Sequence, residues 1–360
     1  MKRSLAVLVC SVLTAVLLVA GCSSAAPAPT PAPAASKPTA AEPTKAAAPA
    51  PAQPTAAAAS KVTFPEKGKA ITIIVPFPAG GTTDVAARVL ASYMEKDLGG
   101  PVQVIDKPGA SSQAGLTDFA RAKADGYTLA YFILQNAIPA YLDPDRQAAF
   151  SRKDIKPIGM VGEDPKIVAV KADSPYKTMK DLLDAAKANP GNMTFGAGGV
   201  LSPEHIWGLQ LQQAAGVKFA TVQFDGIAPT MTALLGGHVD FVTGSLGALA
   251  GPMKDGMVRA LAIADRQPNP LVPDIPTIDS QGYKVYCLLS KAVAVPADTP
   301  KEITDILAKS LEKVMADPEQ KKKIMDASMD FRFTNASQTA TYWDEMEKGI
   351  APLINLAKQK

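Results

Sequence analysis

Histidine and cysteine are scarce in this chain, with two and three among 360 residues. No His-Glu-x-x-His, Cys-x-x-Cys or Gly-x-Ser-x-Gly pattern occurs, so metal-assisted hydrolysis and nucleophilic catalysis lack their usual parts. The segment Gly251-Pro252-Met253-Lys254-Asp255-Gly256 has P-loop glycine spacing, but Met257 stands where the lysine is needed, so it fails as a phosphate loop. An excess of one charge is missing as well. The formal net charge is +3, of which Lys2 and Arg3 supply two, and Lys37 and Lys45 against Glu42 supply the remainder. The chain from residue 61 onward is therefore neutral, which excludes the basic face by which a domain grips nucleic acid.

Long apolar runs are absent except for one, from Leu5 to Ala20, behind Lys2 and Arg3. A basic start, an apolar stretch below the roughly 20 residues of a spanning helix, and small residues at its end describe a signal peptide over residues 1–21. Its end reads Leu18-Val19-Ala20-Gly21-Cys22, which resembles the lipobox of bacterial lipoproteins and makes Cys22 the expected lipid anchor. Residues 23–60 hold 17 Ala and 9 Pro, with almost no branched apolar side chains. Such a segment builds no core and reads as a semi-extended tether. With Cys10 in the signal and Cys22 lipidated, Cys287 has no intramolecular partner and reads as a buried small hydrophobe.

From Ala70 the chain alternates short β-branched runs with longer stretches of helical period, the pattern of an α/β fold. The strand candidates are residues 71–75, 102–105, 127–133, 167–170, 193–195, 220–224, 239–242, 258–262 and 292–295. Most are continuously apolar, as buried parallel strands require. Thr299-Pro300-Lys301-Glu302 and Asp317-Pro318-Glu319-Gln320 predict helix starts with a capping side chain followed by Pro at the first helical position. The stripe Tyr342, Trp343, Met346 and Ile350 predicts a core-facing helix whose aromatics pack. Nine strands would strain one open sheet of usual size, so two smaller sheets with a cleft between them are expected. The chain is expected to cross between them near residues 160–166 and 284–291.

Two glycine-rich turns stand out. Ile71 to Val75 is followed by Pro76-Phe77-Pro78-Ala79-Gly80-Gly81-Thr82-Thr83-Asp84, where a strand ends and a helix begins at the threonines or at Asp84. The free N–H groups and positive dipole end of that helix suit an anion, most simply a carboxylate, with Thr82 and Thr83 as hydroxyl donors. The pattern alone equally fits a structural turn with Asp84 as N-cap. Met193-Thr194-Phe195-Gly196-Ala197-Gly198-Gly199-Val200-Leu201-Ser202-Pro203-Glu204-His205 repeats the device, with Ser202 as N-cap and Pro203 at N1. It lacks the third glycine of a dinucleotide fingerprint. His205, in the first helical turn, reads either as a ligand donor or as a capping or packing residue, and His238 as a surface residue before its strand.

These segments carry a resemblance. Val75-Pro76-Phe77 through Asp84, Asp106-Lys107-Pro108-Gly109-Ala110, Asp125-Gly126-Tyr127-Thr128-Leu129, Leu234-Leu235-Gly236-Gly237-His238-Val239-Asp240 and Pro273-Asp274-Ile275-Pro276-Thr277 look like successive signatures of the tripartite tricarboxylate transporter substrate-binding family, the Bug-type receptors. The resemblance implies a two-domain periplasmic-binding-protein fold of type II-like topology with a ligand cleft between the domains. It also implies a small organic acid as ligand and delivery to membrane carrier subunits made by other chains, with no cofactor, metal or catalytic residue. Carried over residue by residue, it points to Phe77, Gly80, Gly81, Thr82, Thr83 and Asp84 in the first loop, and to Gly198, Gly199, Ser202 and His205 in the second. Gln135 and Asn136 fall where the family places further polar contacts.

Three departures bear on the ligand. The usual Ala-Pro-Gly-Gly order appears as Pro78-Ala79-Gly80-Gly81. The family's Pro-Tyr-Lys-Gly appears as Gln223-Phe224-Asp225-Gly226, so Asp225, if it faces the cleft, disfavours a second carboxylate. Thr243 and Ser245 bring hydroxyls where family members vary. The expected organisation is one domain of residues 61–164 plus 288–360 and a second of residues 165–287. The expected whole is an extracytoplasmic, lipid-anchored receptor and not an enzyme. A sensory lipoprotein of the same fold is the first alternative, and an extracytoplasmic hydrolase or isomerase using Asp84 or Asp225 as base is the second.

Overall fold

In the computed structural model, residues 63–327 and 329–358 are described, all within a compact unit that begins at Ser60. The signal peptide, Cys22 and the Ala/Pro tether lie outside the described residues. The alternation read from the sequence appears as β1 (Ile71–Val75), α1 (Thr82–Leu98), β2 (Val102–Asp106), α2 (Gln113–Ala120), β3 (Thr128–Ile133) and α3 (Leu134–Leu142). Then come β4 (Ile155–Lys171), α4 (Met179–Ala188), β5 (Thr194–Ala197), α5 (Pro203–Ala215), β6 (Ala220–Gln223), α6 (Ile227–Leu235), β7 (Phe241–Ser245), α7 (Leu246–Lys254) and β8 (Val258–Ile263). The chain finishes with β9 (Leu288–Pro296), α8 (Lys301–Met315), α9 (Pro318–Asp326), β10 (Thr334–Asn335), α10 (Ala336–Ile350) and α11 (Leu353–Leu356).

The strands join in the order β2-β1-β3-β9-β4-β7-β5-β6, with β8 and β10 also on β4. The β1, β2 and β3 strands pair in parallel, as do β5, β6 and β7. The antiparallel strands are β4 and β9, which the expectation of buried parallel strands did not anticipate. The first part of β4 pairs with β9 and β10, and its last part with β7 and β8. Where the two long strands meet, Glu163, Asp164 and Pro165 face Ser290, Leu289 and Leu288.

Residues 167–170, expected as a whole strand, are only the end of β4. Pro157, Gly159, Gly162 and Pro165 hide the rest, because proline and glycine normally mark a strand's end. Here they are absorbed by register shifts between Pro157 and Gly159 and between Met160 and Gly162.

Strand alternation sends side chains to opposite faces, and helices cover both. On one face Ile71, Ile73 and Tyr131 pack with Leu90 and Met94 of α1 and Leu311 of α8. On the other, Ile74, Ala130 and Phe132 pack with Ala137 of α3 and Trp343 of α10. The second half-sheet repeats this with α4 and α5 on one face and α6 and α7 on the other. One helix start differs from expectation. Proline 300 itself occupies the N-cap of α8 without a capping side chain, while the Thr299 hydroxyl donates to the Pro296 carbonyl at 2.7 Å. Asp317 caps α9 as expected, accepting from the N–H groups of Glu319 and Gln320.

Candidate ligand-binding site

The first glycine loop runs from the end of β1 to α1. Gly80 adopts φ +78°, a left-handed backbone that disfavours any side chain. Gly81 is the N-cap, extended, and offers no side-chain acceptor. The first-turn N–H groups, which no helix can satisfy internally, thus face outward at the positive end of a 17-residue helix. Thr82 is exposed there, Thr83 is buried, and Phe77 packs against the core beside α1.

Asp84 does not cap the helix. It is only 3% exposed, and its Oδ2 accepts the Gly80 N–H at 2.8 Å. Its Oδ1 lies 2.6 Å from Arg88 Nε, off the N–H axis, so that contact is ionic without being a hydrogen bond. Arg88 also holds Asp106 Oδ2 at 2.6 Å. Burial first, and then the charge of Asp84, push the Asp106 carboxyl up despite Arg88. Asp84 is therefore a brace that sets the loop.

Thr82 lines a cavity of about 220 Å³ whose other walls are Asp164 to Lys166 of β4, Ser245 to Gly247 at the β7–α7 junction, Val272 and Asp330. Thr243, two residues back along β7, is buried beside Val168 with a hydroxyl that has no partner among the described residues.

In the second loop Ser202 caps α5, accepting the His205 N–H at 3.1 Å. His205 is buried, and its Nδ1 accepts the Leu201 N–H at 3.2 Å. Burial holds its pKa below the ordinary histidine value, so it stays neutral, with its proton on Nε2. Leu201 has φ +61° and packs in the cluster formed by Leu134, Ala137 and Trp343. Gly198 and Gly199 lie beside the next loop with room for a Cβ: one on Gly198 would lie 3.7 Å from Gly226, and one on Gly199 would lie 3.7 Å from the Phe224 carbonyl. Asp225, between those residues, is exposed.

Gln135 and Asn136 begin α3 and are half-buried. The Gln135 amide clasps Ser290, donating to Oγ and accepting from its N–H, both at 2.9 Å. Gln135 lines a different cavity of about 370 Å³. The fold thus sets Thr82 at one cavity, Gln135 at another, and Gly198, Gly199 and Asp225 in two neighbouring loops that line neither.

A buried ionic network at the β4–β9 crossing was not foreseen. Lys166 Nζ lies 2.9 Å from Glu204 Oε1, and Lys291 Nζ lies 2.5 Å from Asp164 Oδ2. Burial alone would lower the Lys166 pKa, but Glu204 more than offsets it, and Glu204 is in turn held below its usual value. Arg332 gathers Asp265, Glu163 at 3.6 Å and Asp330 at 2.6 Å. Ser290 Oγ lies 3.1 Å from the Tyr342 hydroxyl. Tyr342 and the fully buried Trp343 both pack in the cluster around Phe132, as the stripe predicts, and Tyr342 adds a polar contact at a cavity wall. The missed signal was charge inside apolar runs: Glu163-Asp164-Pro165-Lys166 and Ser290-Lys291. Cys287 is a free, buried thiol whose pKa burial raises.

Among the described residues there is no group of three or more His, Cys, Asp or Glu placed to hold a metal ion, and no helix is long and apolar enough to cross a membrane. One ten-stranded sheet, where two smaller sheets were expected, has parallel ends joined by the long antiparallel strands and glycine loops at the carboxyl ends of the parallel strands, the architecture of a solute-binding receptor of the periplasmic-binding-protein type.

The comparisons place the family. The pattern of the tripartite tricarboxylate transporter family receptor matches residues 86–358, and the chain belongs to that family. It is 32% identical over 302 residues to a protein of the gbd 5′ region of Cupriavidus necator, covering 82% of this chain and 90% of that one. Among solved structures it is similar to a TctC solute-binding protein from Polaromonas, with a TM-score of 0.72, 27% identity, and coverage of 81% of this chain and 99% of that one. It is likewise similar to the periplasmic binding protein BugD, with a TM-score of 0.63, 29% identity, and coverage of 82% and 98%.

Proposed function

We propose that this receptor binds a small organic carboxylate between two domains, residues 61–164 plus 288–360 and residues 165–287, and delivers it to the membrane subunits of a tripartite carrier. The observation that carries the reading is the uncapped start of α1, where Thr82 borders a cavity walled by the β7–α7 junction. A carboxylate there replaces the missing cap, and Ser202 and the loop at Gly198 and Gly199 approach it from the second domain as the cleft shuts. Closure removes water, which strengthens the N–H contacts and lets the carrier distinguish loaded from empty receptor. The lipobox-like segment ending in Cys22 supports attachment on the extracytoplasmic side of a bacterial membrane, with residues 23–60 as tether.

Asp330 lies in this cavity, whereas Asp225 is exposed. The ligand class that fits is an acid with a single carboxylate and a neutral or cationic remainder. A thermal-shift screen of the chain against matched mono-, di- and tricarboxylates and amino acids tests this. A ligand at 100 times its Kd stabilises by about 2.7 kcal/mol. A shift confined to one acid class, with the acid recovered unchanged, is expected; turnover of the acid, or no response to any class in protein freed of co-purified ligand, refutes the reading. Incorporation of labelled fatty acid, lost in Cys22→Ser, is expected for the anchor, and equal labelling in that variant rejects it.

A further inference from the structure

Leu288 and Leu289 are consecutive on β9, yet Leu288 lines the cavity of about 370 Å³ and Leu289 the one of about 220 Å³ that holds Thr82. Neighbouring strand residues point to opposite faces, so the two cavities lie on opposite sides of the β4–β9 ladder. The smaller one holds Thr82 of the first glycine loop, and the larger one holds Pro203 behind the second. Its long walls are α5, through Ile206, Trp207 and Gln210, and α10, through Tyr342, Met346 and Ile350. A Cβ on Gly349 would lie 4.0 Å from Gln210 Nε2, so the two helices nearly meet at one end. Residues 284–288 form the floor.

The chemistry of this groove is asymmetric. Its interior is aromatic and aliphatic, and its volume is within the roughly 300–1,000 Å³ of small-molecule sites. At the mouth stand Arg266 and Lys284, both exposed, and neither forms an ion pair among the described residues. The Arg266 guanidinium sits over the Tyr286 ring, 5.0 Å from its centroid, which orients it at the entrance. Glu345 on the α10 side is exposed and opposes them with a single negative charge, so the entrance stays net positive. Three of its polar side chains are already committed: Gln135 to Ser290, the Tyr342 hydroxyl to Ser290, and Trp207 Nε1 to the Val285 carbonyl at 3.2 Å; the Gln210 amide on α5 has no partner among the described residues. An entering molecule finds apolar surface inside and unmatched cations at the rim.

We propose that this groove is a second binding site, separate from the cleft, for an aromatic carboxylate whose ring lies between Trp207, Tyr286 and Met346 and whose charge meets Arg266 and Lys284. Because the groove is bordered by α5 on one side of the crossing and by α10 on the other, its occupant holds these two helices at a fixed separation.

Calorimetric titration of the full chain with 2-naphthoate tests the site, with 2-naphthalenemethanol as the uncharged analogue. Binding of naphthoate is expected, with the alcohol about threefold weaker, since solvent-exposed ion pairs contribute on that order. The double variant Arg266→Gln/Lys284→Gln, at exposed positions, should lose about threefold in affinity for naphthoate but not for the alcohol. Met346→Trp should fill the groove and abolish both, whereas Thr82→Trp, which fills the other cavity, should leave both intact. The proposal is overturned by an absence of naphthoate binding at millimolar concentration, by equal affinity in the double variant, or by loss in Thr82→Trp alone. The last result would place the probe in the cleft.

Discussion

The backbone N–H of Gly80 donates to Asp84 Oδ2 at 2.8 Å, tying the glycine loop to the first turn of the helix that follows it. The carboxylate most exposed to suspicion as a base or a ligand contact in the sequence is thus engaged within its own loop. With Arg88 on its other oxygen, it holds the loop in the shape that leaves the α1 N–H groups open.

Asp84→Ala should therefore lower both stability and ligand affinity. A hydrogen bond to a charged group contributes about 1.5–3 kcal/mol, and a loss of that order is expected in urea unfolding. An unchanged unfolding midpoint with unchanged affinity would show that the loop is held by other means.

The Lys166–Glu204 pair makes a second prediction. Lys166→Met alone leaves Glu204 buried and uncompensated and should cost about 3–5 kcal/mol. The double variant Lys166→Met/Glu204→Leu should recover most of that loss, because two matched apolar side chains remove the desolvation cost of both charges. A double-mutant cycle decides: strictly additive losses would mean that the two groups do not interact.

Asp330 gives the pH dependence. Burial raises its pKa to about 6, with Arg332 pulling down and Asp164, Asp265 and Glu163 pushing up. A folded-state pKa above the ordinary 3.8 means that the protonated form is favoured by folding. Its contribution to stability is complete below the ordinary value and is lost as pH rises through about 6. The native chain should lose thermal stability between about pH 4 and 7 relative to Asp330→Asn, in which that component is flat. Affinity for dicarboxylates should fall over the same range as a negative charge develops in the cavity. Parallel melting curves for the two chains would remove Asp330 as the titrating group.

Cys287 should be inert. Its thiol is buried, and burial raises its pKa, so little thiolate exists at neutral pH. Peptide mapping after alkylation should find Cys287 unmodified in the folded chain and fully modified in denaturant. Rapid labelling without denaturant would mean that the thiol is reached from the groove that Cys287 borders.

The sequence revealed most where local chemistry and tertiary role agree. The β1 and β3 runs are apolar because they are buried, Ser202-Pro203 starts a helix because cap and φ are both supplied locally, and Gly80 supplies a left-handed backbone that side chains disfavour. It was opaque where partners are distant. No local pattern says that Asp164 meets Lys291, that Arg332 closes on Asp265, or that Leu201 packs in the cluster around Trp343. The front of β4 was hidden for a related reason: its prolines and glycines read as breaks until β9 supplies the pairing that accommodates them. The position of Tyr342 at a cavity wall depends on α5, whose approach to α10 no periodicity encodes.

The β4 strand is 17 residues long, about 55 Å at strand rise, and no loop interrupts it where it passes from one half-sheet to the other. In the proposed receptor this makes it a torsion rod and not a joint. Rotation of one domain against the other winds or unwinds the strand about its own axis, with the two register shifts near Gly159 and Gly162 as its most compliant section. Such a rod exerts a restoring torque at every angle away from its resting twist. An empty receptor is then returned to its resting posture by its own backbone, and a bound ligand must hold the cleft shut against that torque for as long as it stays.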